Sequence, residues 1–235
     1  MFRPCIPLSL ALIACTAPAQ AFEARFEVRY GPLRPAEVTL SATETAQGYT
    51  AEGHVASSGV VGLLRPFHFD LQAEGTREGD SLRPGRFVGD LDTGRRQHRV
   101  TMTYDAGVPR IEAIAPEEAP TDWTLDPATQ GGTLDPLSAL YRLARPQQGA
   151  PCNRVIDLFD GRRRSRLRLE VPRINSRAAQ CDGAYERVAG YAPEELQDYH
   201  ALPFTLTYRR DGDGLWQLTR VVTQTPYGRM RINRE

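Results

Sequence analysis

The chain alternates apolar and polar residues over long runs, the period-two signature of strands with one buried and one wet face. Phe26, Val28 and Tyr30 alternate with Arg25, Glu27 and Arg29. Phe67, Phe69, Leu71 and Ala73 alternate with His68, Asp70, Gln72 and Glu74, and Val100, Met102 and Tyr104 with Arg99, Thr101 and Thr103. Leu167, Leu169 and Val171 do so with Arg166, Arg168 and Glu170, and Phe204, Leu206 and Tyr208 with Thr205, Thr207 and Arg209. Parallel strands buried on both faces would be apolar throughout, so the pattern predicts antiparallel pairing. Turn residues punctuate the runs at Gln47-Gly48, Asp160-Gly161, Asp211-Gly212-Asp213-Gly214 and Pro226-Tyr227-Gly228. Asp160-Gly161 predicts a two-residue hairpin, because glycine tolerates the positive φ such a turn needs.

Two segments break the alternation. Ser58-Gly59-Val60-Val61-Gly62-Leu63-Leu64 reads as a helical turn or an apolar loop. Asp135-Pro136 is followed by Leu137, Leu140, Tyr141 and Ala144 at helical spacing and closed by Pro146. An Asp N-cap with proline at the first helical position predicts a helix whose apolar stripe packs on the concave face of a sheet. Between the strand-rich halves, the proline- and acid-rich stretch from Pro116 to Gly132 reads as a long surface connection and a candidate subdomain boundary.

The N-terminus carries a different signal. Arg3, an apolar run from Ile6 to Ala14 and the small residues ending in Ala19-Gln20-Ala21 form a secretory signal, which predicts cleavage after Ala21 and a β-rich domain over residues 22–235. The apolar run is shorter than the roughly 20 residues a membrane helix needs, and charged residues interrupt every later apolar run, so no transmembrane segment is expected. Leu12-Ile13-Ala14-Cys15 is a competing signal, a lipobox in which Cys15 would be acylated; the short segment before it and the good site downstream weigh against it. The expected location is the bacterial periplasm. There thiols oxidise, and Cys152 and Cys181 are expected to pair; closing a loop of about 30 residues contributes roughly 3–4 kcal/mol in the chain-entropy picture.

Composition narrows the chemistry. The 29 basic and 29 acidic residues balance, so no net field points to nucleic acid. All the basic residues are arginine, which removes Schiff-base catalysis, Ser–Lys dyads and phosphate-loop lysines. His54, His68, His98 and His200 show no metal-ligand spacing, and the first three are read as pointing outward to water. No G-x-S-x-G motif is present; Ser58 reads as a loop serine and Ser138 as a first-turn residue. No metal and no cofactor is expected. Arg162-Arg163-Arg164 with Arg166 and Arg168 is the most unusual local feature: Arg164, Arg166 and Arg168 share one strand face and could hold a phosphate or an anionic lipid head group. The plainer reading is a wet strand face with acids on neighbouring strands as partners.

The chain resembles the exported bacterial family named domain of unknown function 3108. The likeness is carried by the strand Phe26 to Tyr30, the Ser58 to Leu64 turn, Leu82-Arg83-Pro84 leading to Phe87, the Asp135-Pro136-Leu137-Ser138-Ala139-Leu140 helix start, and Phe159-Asp160-Gly161-Arg162-Arg163. The resemblance implies a mainly β fold: a curved antiparallel sheet or open β-barrel wrapping one α-helix, as in carriers of outer-membrane lipoproteins. It further implies that Leu137, Leu140 and Tyr141 plug the concave face and that Val60, Val61, Leu63 and Leu64 form an apolar lip. No catalytic residue transfers.

The reading that results is a non-enzymatic periplasmic protein that binds a lipid or another hydrophobic envelope ligand. An envelope scaffold, with a filled core and an exposed edge strand for a protein partner, is the alternative, and a hydrolase with an unrecognised site is a third.

Overall fold

The structure, a computed structural model, describes residues 20–46, 48–225 and 228–235. Residues 1–19 of the anticipated leader, Cys15 among them, together with Gln47, Pro226 and Tyr227 of two anticipated turns, lie outside the described residues, while Gln20 and Ala21, the last two residues of that leader, open the first strand. The chain runs through β1 (Gln20–Tyr30), β2 (Leu33–Glu44), β3 (Tyr49–Ser57), α1 (Gly59–Leu64), β4 (His68–Glu78), β5 (Ser81–Asp92), β6 (Gln97–Asp105) and β7 (Val108–Ala115). After a 3-10 turn at Pro127–Thr129 come α2 (Pro136–Ala144), β8 (Arg154–Phe159), β9 (Arg164–Leu169), β10 (Arg173–Ile174), β11 (Ala178–Ala189), α3 (Pro193–Asp198), β12 (Ala201–Arg210), β13 (Trp216–Thr225) and β14 (Gly228–Arg234).

All strands join one antiparallel sheet in the order β7-β6-β5-β4-β3-β2-β1-β14-β13-β12-β11-β9-β8, with β10 beside β11. The N-terminal and C-terminal halves meet where β1 pairs with β14. A twisted sheet of this width curls rather than staying flat, and the bulges at Glu74/Gly75 and Thr207/Tyr208 sharpen the bend. The alternation predicted from the sequence sets which face turns inward: Phe26, Val28, Val100, Met102, Leu206 and Tyr208 are buried.

The concave face is filled by α2. Its N-terminus is satisfied by Asp135, whose carboxylate accepts from the Ser138 N–H at 2.8 Å and from the Ser138 hydroxyl at 2.5 Å. At its C-terminal end Tyr208 donates to the Leu143 carbonyl at 3.1 Å, and Tyr141 donates to Glu44 at 2.5 Å. Arg145 pairs with Asp80 at 2.8 Å and lies 3.5 Å from Glu44, a cation placed where the helix dipole favours it. Close approach needs a glycine: a Cβ on Gly53 of β3 would lie 2.8 Å from Leu137 Cδ1, so Leu137 rests on bare backbone.

The free edges β7 and β8 do not pair with each other. The segment before α2 covers β8 instead, with the Leu134 N–H donating to Asp157 O and the Phe159 N–H to Leu134 O, both at 2.9 Å. The 116–132 connection crosses the seam between the two edges, its Gly132 N–H donating to Gly107 O at 3.1 Å before Leu134 reaches β8. The β8–β9 hairpin packs across the same seam. Its loop has four residues, not two, because Phe159 pairs with Arg164, and the Asp160 carboxylate accepts from the N–H groups of Arg162 and Arg163 at 2.9 and 2.8 Å. Gly161, at φ 101°, would place a Cβ 2.8 Å from Val100 of β6, so this turn also demands glycine. Cys152 and Cys181 form a disulfide with Cα atoms 5.6 Å apart, tying the segment before β8 to β11.

Two outcomes follow for the plug. Leu137→Ala leaves a cavity that Gly53 cannot fill and should cost about 2–5 kcal/mol in urea unfolding; a loss under about 1 kcal/mol would mean that the sheet does not depend on α2. Burial pushes the Asp135 carboxyl up to about 6, with the Ser138 hydrogen bonds opposing the shift. The folded state therefore holds this proton more tightly than an unfolded chain with a carboxyl near ~3.9. The stabilisation is complete below about pH 4, is lost as pH rises through about 6, and is flat above. Asp135→Asn keeps an acceptor for the cap and should remove on the order of 2–3 kcal/mol of stability change between about pH 4 and 7, read as the difference between the two proteins' unfolding curves.

Candidate functional site

The inner face of the sheet has two zones, distinguished by one step along the strands. Leu40, Gly53, Leu71, Gly89 and Val100 form a cross-strand row at the level of Leu137, and all but Leu71 are buried. The next row, Val38, Val55, Phe69, Leu91 and His98, faces the same way and is half-exposed throughout. The helix fills the first zone and stops short of the second.

The open row runs into a cleft of about 500 Å³ at the seam, within the range typical of small-ligand sites. Leu91, Ile114 and Leu125 give it an apolar lining, to which Trp123, 40 % exposed, adds its ring. Arg96, Arg162 and Arg163 line its rim. Arg162 pairs with Glu118 and donates to the Pro116 carbonyl, binding the hairpin to the 116–132 connection. Arg163 pairs with Glu195 at 2.9 Å and lies over the Tyr191 ring at 4.9 Å. Tyr191 is fixed from below by Ser165, whose hydroxyl is 2.6 Å from both the Tyr191 and Tyr185 hydroxyls. The rim charges thus stand on an ordered support.

His98 belongs to this cleft, which corrects its reading as an outward residue. It pairs with Leu91 and shares its face with Val100 and Met102, so the alternation itself already placed it inside. Burial lowers its pKa, and the nearby Arg162 lowers it further, which keeps the imidazole neutral near pH 7. His54 does point outward, with Asp70 at 2.6 Å, and His68 and His200 are exposed.

The other anticipated residues are dispersed. Leu137 and Tyr141 are buried on α2, but Leu140 of the same helix is 36 % exposed. Val60, Leu63 and Leu64 project from α1 into solvent and Val61 is half-buried. Arg164 and Arg166 lie on the outer face and share Asp157, at 2.7 and 2.6 Å, while Arg168 meets Glu186 at 2.9 Å. Hydrogen bonds from Arg166 and Arg164 hold the Asp157 carboxyl below its usual range. Every guanidinium of the stripe is thus engaged by an acid of an adjacent strand, three arginines on two carboxylates. Ser138 is fully buried in the helix cap. Among the described residues no group of three or more His, Cys, Asp and Glu is placed to hold a metal ion, and no helix is long and apolar enough to cross a membrane. Trp123, Leu91 and Leu125 escaped the sequence reading because they are far apart in the chain and lie in or beside loops.

No curated protein matches the chain. Among solved structures, the crystal structure of a β-barrel-like protein of domain of unknown function DUF1849 from Brucella abortus is similar at 13% identity and a TM-score of 0.45, covering 94% of this chain and 98% of that one. A family model matches residues 25–175, from β1 through α2 to β10, and so takes in the helix plug, both seam edges and the β8–β9 hairpin. The chain belongs to the family described as protein of unknown function (DUF3108).

Proposed function

We propose that this is an exported, non-enzymatic protein that binds a small amphiphile, an apolar chain bearing an anionic group, in the seam cleft. The observation that carries this reading is the half-exposed row Val38–Val55–Phe69–Leu91–His98 running into a cleft with an apolar lining and an arginine rim. Residues that face inward yet stay half-exposed are where added apolar surface gains about 25 cal/mol per Å² of burial. Arg96 supplies the charge least committed elsewhere, since Arg162 and Arg163 already hold carboxylates. The leader-like N-terminus supports export to the periplasm, with Cys15 acylation as the competing route. The filled lower zone favours a second reading, an envelope scaffold with no ligand of its own.

Trp123 reports on the cleft because Trp216, the other tryptophan, is buried in the core. Titration of delipidated protein with dodecanoate should shift the tryptophan emission to the blue, and Trp123→Phe should abolish the shift. Arg96→Glu should weaken binding roughly tenfold, about 1.4 kcal/mol. An emission spectrum that dodecanoate leaves unchanged, together with no retained acyl ligand by native mass spectrometry, would select the scaffold reading.

A further inference from the structure

The α1 end of the sheet carries a feature that the seam cleft does not use. Val60, Leu63 and Leu64 are 64%, 86% and 81% exposed, and no residue of α1 is buried. This helix is not held by a core. The Ser58 N–H donates to Pro35 O and the Ser58 hydroxyl to Arg34 O, both at 2.9 Å, while the Ser57 N–H donates to Phe67 O at 3.0 Å. Within the turn, the Gly62 N–H reaches Ser58 O and the Arg65 N–H reaches Val61 O. Polar groups thus fix a turn whose apolar side chains point into water.

Cations surround it. Arg65 follows α1 directly, and the β5–β6 turn packs against it, with a Cβ on Gly94 lying 2.4 Å from Pro66 O and 3.5 Å from Arg65 Cγ. That turn brings Arg95 and Arg96 alongside. All three arginines are exposed, and among the described residues none pairs with a carboxylate. Of the acids at this end of the sheet, Asp92 accepts the Gly94 N–H at 2.7 Å and Glu27 holds Arg29 and Arg34, while the exposed Glu37 of β2 lies beside Glu27. Leu33, 55% exposed, opens β2 at the same end of the sheet.

We propose that α1 docks the protein onto an anionic lipid surface, Val60, Leu63 and Leu64 entering the acyl boundary while Arg65 and Arg95 meet the head groups. A projecting tip of three aliphatic side chains ringed by arginine matches a bilayer interface, where apolar insertion and attraction to anionic lipid add together. Three aliphatic side chains are too small a surface for a stable protein interface, which takes about 800 Å² from each partner. This docking does not depend on the cleft holding a ligand.

Co-sedimentation of the chain processed after Ala21 from a Cys15→Ser precursor, which excludes an acyl anchor, tests it with two kinds of vesicle. One is phosphatidylcholine alone and the other has a third of its lipid as phosphatidylglycerol. Binding is expected to the anionic vesicles, weakening as salt rises. Leu63→Asp with Leu64→Asp should reduce it at least tenfold, and Arg65→Glu with Arg95→Glu should remove its salt dependence. Both pairs are exposed, so unfolding curves and the dodecanoate titration should match the parent protein. Equal binding by the Leu63/Leu64 variant, or no binding by the parent, overturns the proposal. Concentration-dependent dimerisation abolished by the same variant would assign the face to a second copy and overturn it as well.

Discussion

The seating of α2 in the concave face, Leu137 against the bare backbone of Gly53, is the contact on which the remaining architecture rests. A sheet this wide must curl, and something has to occupy the inside of the curl. A helix can do so only if its terminal backbone groups find partners, since buried unpaired ones are costly. Here Asp135 closes one end, and at the other the Tyr208 hydroxyl donates to the Leu143 carbonyl and the Arg145 N–H to that of Tyr141. Because the helix is only nine residues long, it fills one zone of the interior. The row beyond it stays half-open, and a pocket is left where the two sheet edges fail to meet.

The seam is the second consequence. Joining the halves through β1 and β14 puts the free edges at β7 and β8, on opposite sides of the opening. Unpaired strand edges invite aggregation, and here one of them is covered by the connection itself through Leu134. The hairpin at Gly161 closes the gap by side-chain packing on Val100, Ile111 and Ile114, not by a ladder. Packing without a ladder leaves room between the edges, and that room is the cleft. Arginine takes two roles around it. On the outer face of β9 three guanidinium groups are held by two carboxylates across the ladder, Arg164 and Arg166 sharing Asp157, whereas beside α1 Arg65, Arg95 and Arg96 pair with no carboxylate among the described residues.

Much of the fold was legible in local pattern. Strand identity, inward parity, the Asp135-Pro136 helix start and the pairing of Cys152 with Cys181 were all anticipated from nearby residues or from compartment chemistry, and the structure contains them. Parity even contained the position of His98, two residues before Val100, although the histidine was read as outward. The hairpin at Asp160 was anticipated in place but not in length, because the Asp160 side chain builds a wider loop than the dipeptide alone suggests. The arginine stripe was visible as a run of charge, but its pairing with Asp157 and Glu186 depends on strand register, which the run itself does not specify.

The sequence by itself determined which residues alternate, where the chain turns, where the helix begins and which residues face inward, because each is decided within a few residues by backbone geometry and side-chain polarity. Tertiary structure alone decided that the halves meet through β1 and β14 and that the connection crosses a seam. It also decided that α2 covers one row of the inner face but not the next, and that Leu91, Ile114, Trp123 and Arg163 line one cleft. Those outcomes depend on how far a twisted sheet curls before a short helix fills it, a property of the whole sheet that no local stretch of sequence encodes.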